Sequence, residues 1–241
     1  ATVAPMRLFI SGSAPLLAET HKQWQEVTGT AILERYGMTE TNMNTSNPYE
    51  GERRAGSVGM PLPGVEVRIA DADSGKPLAQ GEIGSVEIRG PNVFAGYWQM
   101  PEKTKQEFRD DGFFITGDIG TIDGDNYLSI VGRSKDLIIS GGYNVYPKEI
   151  EIILDDVEGV YESAIIGVPH PEFGEGELAV VVLAAGESRN ESHLKSILKQ
   201  KLAPYKRPKN IFFVDELPRN TMSKVLKNIL RDQHKDNFTT P

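Results

Sequence analysis

The sequence contains no cysteine and only four histidines in 241 residues. Disulfide bonds, thiolate nucleophiles and cysteine-ligated metal centres are therefore excluded for this chain. The histidines never show the His-Glu-X-X-His spacing of a zinc enzyme, so the sequence does not indicate a zinc site. A Walker A loop and a Gly-X-Gly-X-X-Gly loop are also missing, so neither of those two modes of phosphate binding is indicated.

Long apolar segments are missing too, since no run approaches the roughly 18 residues of a membrane span. The first residues lack the charged start and apolar core of a signal peptide. With 34 acidic and 26 basic side chains the net charge is −8, so binding to nucleic acid or to an anionic membrane is not expected. We therefore expect a cytoplasmic protein that acts on small molecules, and the net charge still allows a local basic pocket.

The first part of the chain shows a strand–helix–strand pattern. Residues 6–10 (MRLFI) predict a buried strand that leads into a small-residue turn at 11–15 (SGSAP). A helix should follow and end at Gly29. A second strand is predicted over residues 31–36 (AILERY), followed by a long polar loop. Polar residues at both strand ends are typical of a piece of an α/β sheet.

The middle and the end of the chain show two further patterns. Apolar and polar residues alternate at 65–71 and 83–90, which predicts half-buried strands of a small β-rich subdomain or β-barrel. From Asp136 onward, apolar strands alternate with amphipathic helices, the last of them predicted over MSKVLKNILRDQ, which is typical of a compact α+β domain. We place the boundary near Lys135 and divide the chain into residues 1–133 and 134–241.

Two polar segments of the first part could bind a nucleotide. In TGD (116–118) the carboxylate of Asp118 can accept hydrogen bonds from both hydroxyls of a ribose. YGMTE (36–40) offers a ring that can stack on a base, a hydroxyl for a phosphate and a carboxylate for Mg²⁺, which prefers oxygen ligands. Each segment alone fits equally well an ordinary polar turn.

The segment LPRNTMSKV (217–225) places Lys224 just before the predicted last helix. Its ammonium could neutralise a carboxylate and a phosphate together. An exposed lysine without a function fits the local sequence as well. SGSAP could likewise offer backbone N–H groups to an anion, although such turns are common.

Five segments in this order resemble the adenylate-forming ligases, and within them the AMP-forming acyl-CoA synthetases. They are YGMTE, GEIGSVEIRGPNVFAGYW, TGD, GRSKDLIISGGYNVYPKEIE and PRNTMSKV. The resemblance implies a carboxylate that attacks the α-phosphate of ATP to give acyl-AMP, and a CoA thiol that then displaces AMP. It implies ATP, Mg²⁺ and CoA as partners. The segments RYGMTETNMNTSNPY, PLPGV and GPNVFAGYW are most similar to members of the family that act on malonate, which implies malonate or a close dicarboxylate as the acid.

The resemblance also implies roles for single residues. Tyr36 and Gly37 would flank the adenine, Thr39 would contact the α-phosphate, and Glu40 would hold Mg²⁺. Asp118 would bind the ribose hydroxyls. The remaining residues to which the resemblance gives a role in residues 1–133 are Arg133, which would help Asp118, and Ser11, Gly12, Ser13, Ala14 and Met38, which would line the base and acyl side of the pocket.

In residues 134–241 the resemblance implies a moving domain. Lys135 would be the hinge, and the domain would rotate between the two half-reactions. One face would present Lys224, which bridges carboxylate and α-phosphate during adenylation. The other would present a strand containing Gly141 and Gly142, where the absence of side chains leaves room for the pantetheine arm of CoA.

The sequence departs from the family in one large respect. Full-length members carry an upstream phosphate loop rich in Ser, Thr and Gly, which is absent here. We therefore expect the end of a large α/β plus β-barrel domain followed by a small α+β domain, inactive without the missing N-terminal portion. A smaller departure is MSK, where many relatives have SGK.

Several alternatives stay open. The parent could be a ligase for an aryl, medium-chain or short-chain acid, a luciferase-like enzyme, or a non-catalytic nucleotide-binding module. Amino-acid-activating modules fit less well because they usually show YGPTE and precede a carrier domain. The second carboxylate of a dicarboxylic acid would need a cationic or multi-donor partner. Arg7 is one candidate, although its position fits a surface residue equally well, and the missing N-terminal portion is the other source of such a cation.

Overall fold

The computed structural model describes residues 3, 5–12, 16–188, 190–221 and 223–238. The chain forms two compact units, Ala1–Ser134 (unit 1) and Lys135–Pro241 (unit 2). Among the helices in the described ranges, none is long and apolar enough to cross a membrane.

Unit 1 begins with a four-stranded sheet, sheet A, whose strand order is β1-β2-β3-β4. Its elements are β1 (Ile10–Ser11), α1 (Ala18–Thr28), β2 (Leu33–Met38), β3 (Asn42–Ser46) and β4 (Met60–Pro61). β1 and β2 are parallel and α1 lies between them in the chain, which confirms the predicted strand–helix–strand unit. α1 ends at Gly29, whose φ of +75° suits glycine.

Two predictions about sheet A were wrong. The strand expected over residues 6–10 includes only Ile10, which lies in the two-residue edge strand β1, and the side chains of Met6 and Ile10 are exposed rather than buried. The long polar loop is instead a β-hairpin, since β2 continues to Met38 and β3 begins at Asn42. The YGMTE segment therefore occupies a strand end and a tight turn.

The second half of unit 1 is an antiparallel sheet, sheet B, with strand order β5-β6-β7-β8. Its elements are β5 (Glu66–Ala70), β6 (Gly84–Arg89), α2 (Pro101–Gln106), β7 (Phe114–Ile122) and β8 (Leu128–Arg133). Its buried core residues are Ile69, Val86, Ile88 and Leu128. The predicted β-rich subdomain is confirmed, and its strand path is open in the described residues rather than closed as a barrel.

TGD lies inside β7 and does not form the ordinary polar turn that its sequence also allowed. Ile115 pairs with Glu87 and Ile119 pairs with Ser85, so three residues of β7 stand opposite one residue of β6. Gly117 adopts a φ of +72° within this bulge. A bulge bends the strand and changes the direction of its side chains, and here it falls on the segment that carries Asp118.

Unit 2 is an α+β unit built on one five-stranded sheet, in which β13 joins β12 in parallel and the other strands follow the order β10-β9-β12-β11. Its elements are β9 (Ile138–Ser140), β10 (Tyr143–Val145), α3 (Pro147–Asp155), β11 (Val160–His170), β12 (Gly174–Leu183), α4 (Glu191–Lys201), β13 (Asn210–Val214) and α5 (Lys227–His234). Alternation along β11 separates two cores: Ile165 packs with α3 and α4, whereas Ile166 packs with Leu230 of α5.

Two predictions about unit 2 were wrong. Gly141 and Gly142 do not lie in a strand but form the turn between β9 and β10, with φ of +57° and +82°. Two consecutive positive φ values are typical of the tightest hairpin turns and favour glycine. The last helix begins at Lys227 rather than at residue 222, which lies outside the described residues.

Candidate active site

In unit 1, three of the predicted nucleotide-binding side chains meet. Asp118 and Arg133 stand opposite each other on β7 and β8, and Arg133 Nε lies 2.7 Å from Asp118 Oδ1. The hydroxyl of Tyr36, from β2, donates to Asp118 Oδ2. Asp118 is only 3% exposed, so both oxygens of a buried carboxylate are held by donors from two different sheets.

The Tyr36 hydroxyl is fixed as a hydrogen-bond donor. Burial raises the pKa of Tyr36 well above its usual range, and the charge of Asp118 and the hydrogen bond to it raise the pKa further. The phenol therefore stays protonated at any physiological pH. The Asp118 carboxylate is the kind of acceptor that binds the hydroxyls of a ribose.

A cavity of about 380 Å³ opens at the β2–β3 hairpin. Its lining residues are Arg35, Gly37, Met38, Thr39, Asn42 and Met43. Glycine is required at 37, because a Cβ there would lie 2.0 Å from the carbonyl oxygen of Asn42. The cavity thus contains three of the residues that the sequence placed in the nucleotide and acyl pocket.

Gly12 lies beside this cavity's Arg35. A Cβ on Gly12 would stand 2.8 Å from Arg35 Cγ and 3.1 Å from Arg35 Nη1, so the glycine leaves room for the arginine side chain. Ser11 ends β1 and pairs with Glu34 of β2. Ser13 and Ala14, which were predicted to line the same pocket, lie outside the described residues.

Glu40 lies within the turn of the β2–β3 hairpin and is half-buried. Its Oε1 accepts a hydrogen bond from the Tyr97 hydroxyl at 3.1 Å, and its main-chain carbonyl accepts one from the Phe94 N–H at 2.7 Å. Burial, reinforced by Glu40, raises the pKa of Tyr97 to about 12, which keeps the phenol a donor. The hydrogen bond from Tyr97 to Oε1 therefore fixes the orientation of the Glu40 carboxylate.

The chemistry of Glu40 fits Mg²⁺ shared with a nucleotide. In the described part of the chain, no group of three or more His, Asp or Glu side chains could hold a metal ion alone. Mg²⁺ usually takes one or two carboxylates and completes its shell with substrate phosphates and water. Glu40 Oε2 accepts no hydrogen bond from the described residues and can serve as that carboxylate ligand.

In unit 2, Lys224 lies on an exposed turn between β13 and α5. The Asn220 N–H donates to the Lys224 carbonyl at 3.0 Å, and the Lys224 N–H donates to the Asn220 side chain at 2.9 Å. Arg219 donates to the Ser223 carbonyl at 2.6 Å and to the carboxylate of Glu162 on β11. The turn is therefore tied to the sheet by the guanidinium of Arg219.

The other predicted residues of unit 2 lie at its start. Lys135 is the first residue of the unit and lies, exposed, in the 3₁₀ turn Ser134–Asp136. The Gly141 N–H donates to the Phe173 carbonyl at 2.8 Å, which anchors the Gly141–Gly142 turn to the loop before β12.

Sequence reasoning missed Arg35 and Tyr97. Arg35 precedes Tyr36 by one residue, and strand alternation could have placed it on the opposite face from Tyr36. Tyr97 belongs to the segment GPNVFAGYW, which we used only for the resemblance. The hydrogen bond from Tyr97 to Glu40 joins residues that are 57 positions apart in the sequence, so no local sequence pattern predicts this contact.

Two family models match the chain, the AMP-binding enzyme family over residues 2–98 and the AMP-binding enzyme C-terminal domain over residues 149–224. A probable CoA ligase of Humulus lupulus is 45% identical over 94% of this chain, and a malonate–CoA ligase of Arabidopsis thaliana is 40% identical over 94%. The chain spans 39% and 38%, respectively, of the lengths of these two relatives.

The structural comparison gives the same result at higher identity. ATP-bound MatB from Rhodopseudomonas palustris is 62% identical, with a TM-score of 0.94 over 96% of this chain and 46% of that one. The chain therefore belongs to the AMP-binding, adenylate-forming enzyme family, in which it is similar to acyl-CoA ligases.

Proposed function

We propose that the protein containing this chain is an AMP-forming acid–CoA ligase that converts malonate to malonyl-CoA. The observation that carries the proposal is the similarity, over nearly the whole chain, to CoA ligases that include a malonate–CoA ligase. In the first step a carboxylate oxygen attacks the α-phosphorus of ATP, and the bond to pyrophosphate breaks. In the second, the CoA sulfur attacks the acyl carbon, the thiol proton is released, and AMP leaves.

Unit 1 would bind the nucleotide. Tyr36 and Gly37 would flank the adenine, and the Asp118 carboxylate would accept the ribose hydroxyls while Arg133 holds it in place. Thr39, exposed at the hairpin turn beside the cavity, would donate to the α-phosphate. Glu40 would hold Mg²⁺, which when bound neutralises phosphate charge.

Unit 2 would act as the mobile domain, and unit 1 as the end of a larger domain completed by an N-terminal portion. Lys135 would be the hinge between them. Lys224 would supply a positive charge between the acid carboxylate and the α-phosphate, two anions that otherwise repel each other. The Gly141–Gly142 turn, which has no side chains, would leave a passage for pantetheine. We expect this enzyme to be cytoplasmic.

The test measures CoA-dependent AMP release by the full-length protein with ATP and Mg²⁺. Malonate, methylmalonate, acetate, butyrate and 4-coumarate are compared, and Lys224→Ala is the matched variant. We expect malonate to give the highest kcat/KM and the variant to lose adenylation while it still converts pre-formed malonyl-AMP and CoA to malonyl-CoA.

Three other outcomes are informative. Preference for a monocarboxylic acid would keep the ligase and reject malonate. Normal adenylation by Lys224→Ala would reject the role of that lysine. ATP binding without AMP release for any acid would favour a non-catalytic nucleotide-binding module.

A further inference from the structure

Arg35 differs from most arginines of unit 1 because its guanidinium has no partner among the residues that the structure describes. Among the described residues it makes no ion pair and no side-chain hydrogen bond. The arginines of unit 1 that bond to carboxylates or main-chain carbonyls are Arg53, Arg54, Arg68, Arg89, Arg109 and Arg133. Arg7 likewise has no side-chain partner in the described part of the chain, but it is exposed and does not line the cavity.

The fold explains why Arg35 faces the cavity. Its neighbours in β2 are used elsewhere: Glu34 bonds to the buried His21 of α1, and Tyr36 bonds to Asp118. Alternation along the strand sends Arg35 to the opposite face. There the bare Cα of Gly12 makes room for its Nη1, and Thr39 lies on the lining of the same cavity.

A partly buried guanidinium without a partner loses part of its hydration and gains no hydrogen bond in return. Such a group is suited to an anionic ligand, and its planar fork matches a carboxylate in a bidentate manner. Because Thr39 is the residue assigned to the α-phosphate, the acid under attack must lie close to this cavity. In malonate one methylene separates the two carboxylates, so the second one must lie close to the first.

We propose that Arg35 binds the carboxylate of the acid that does not react, and so selects dicarboxylic acids. This inference rests on the proposed ligase function. It replaces Arg7, the candidate from the sequence, with a cation that the fold places beside the proposed α-phosphate contact.

The test uses the full-length protein with Arg35→Met, which keeps the length of the side chain and removes its charge. We expect kcat/KM for malonate to fall by about 100-fold or more, kcat/KM for butyrate to hold or rise, and KM for ATP to stay within about twofold. Arg35→Lys keeps the positive charge but loses the planar guanidinium, so its kcat/KM for malonate should lie between those of the unmodified protein and Arg35→Met. Lys22→Met, on the exposed face of α1, removes an equal charge and should change none of these values.

Three results would overturn the inference. Unchanged malonate selectivity in Arg35→Met would show that the second carboxylate binds elsewhere, and Arg7→Met tests that rival directly. An equal loss for every acid with a raised KM for ATP would assign Arg35 to a phosphate, while the ligase function stands. Absence of AMP release by the unmodified protein with every acid would reject the proposed function itself, and this inference with it.

Discussion

The Tyr36 hydroxyl donates a hydrogen bond to the Asp118 carboxylate across 82 residues of chain. The contact joins β2 of sheet A to β7 of sheet B, and so links the two halves of unit 1. Its donor stays protonated because burial and the carboxylate raise the Tyr36 pKa. This hydrogen bond therefore connects the two sequence segments, YGMTE and TGD, to which we assign the nucleotide.

Tyr36→Phe should destabilise unit 1 by about 1 to 3 kcal/mol, since it removes a donor from a buried carboxylate. Both tryptophans, Trp24 and Trp98, lie in unit 1, so urea unfolding followed by tryptophan fluorescence reports on that unit. Tyr49→Phe is the control, because Tyr49 is exposed and its hydroxyl makes no bond to the described residues. Equal effects of the two changes would contradict the prediction.

Gly37→Ala should destabilise unit 1 by about 3 kcal/mol or more, because the new methyl would overlap the Asn42 carbonyl and force the hairpin apart. The same fluorescence measurement applies. Gly132→Ala provides the comparison, since a Cβ on this strand residue of β8 meets no atom within 4 Å. A Gly37→Ala variant as stable as Gly132→Ala would show that the hairpin does not have this geometry.

Asp155 should make unit 2 more stable in mild acid. Burial raises the pKa of this carboxyl from 3.8 to about 6, against the opposing hydrogen bond from Ser163 and the charge of Lys148. Between about pH 4 and pH 6 the folded chain holds a proton that the unfolded chain releases, so the free energy of unfolding falls as pH rises through this window.

Asp155→Asn should remove that dependence. Asparagine still accepts the Ser163 hydroxyl bond but carries no charge, so unit 2 should gain about 1 to 2 kcal/mol at pH 8 and little at pH 4. Hydrogen exchange of the β11 and β12 amides at several pH values measures this. Asp215→Asn, at an exposed site, should leave the slope unchanged; a slope that survives in Asp155→Asn would assign it to another group.

Arg219→Ala should loosen the turn that carries Lys224, because the guanidinium ties the Ser223 carbonyl to Glu162. Ser223 has a φ of +63°, which is uncommon for a residue other than glycine and needs support from its neighbours. We expect faster hydrogen exchange of the Lys224 amide in this chain. In the full-length protein we expect roughly tenfold slower adenylation with thioester formation unchanged.

Arg207→Ala is the matched control for that experiment. Its guanidinium also holds main-chain carbonyls, those of Lys199 and Leu202 at the end of α4, but it does not touch the Lys224 turn. Slow adenylation in both variants would point to a general loss of stability. If hydrogen exchange of the Lys224 amide is unchanged in Arg219→Ala, the turn keeps its conformation without the Arg219 guanidinium.

Several strands, a helix end and the family of this protein could be predicted from its sequence. Alternation at period two located β5 and β6 of sheet B, because a strand's side chains must point alternately to opposite sides. Gly29 marked the end of α1, since the backbone preference of glycine acts locally. Five short segments in a fixed order were sufficient to indicate the family.

Only the tertiary structure decided how those segments are used. TGD became a bulge within one strand because the register with β6 slips there, and the Tyr36–Asp118 bond exists only once two sheets meet. Arg35 differs from the paired arginines of unit 1 because its guanidinium has no partner among the described residues. A short stretch of sequence does not show whether an arginine is paired, because the partner can lie far away along the chain. Local rules fix what a segment can become, whereas burial and long-range contacts determine which of its groups remain available for a ligand.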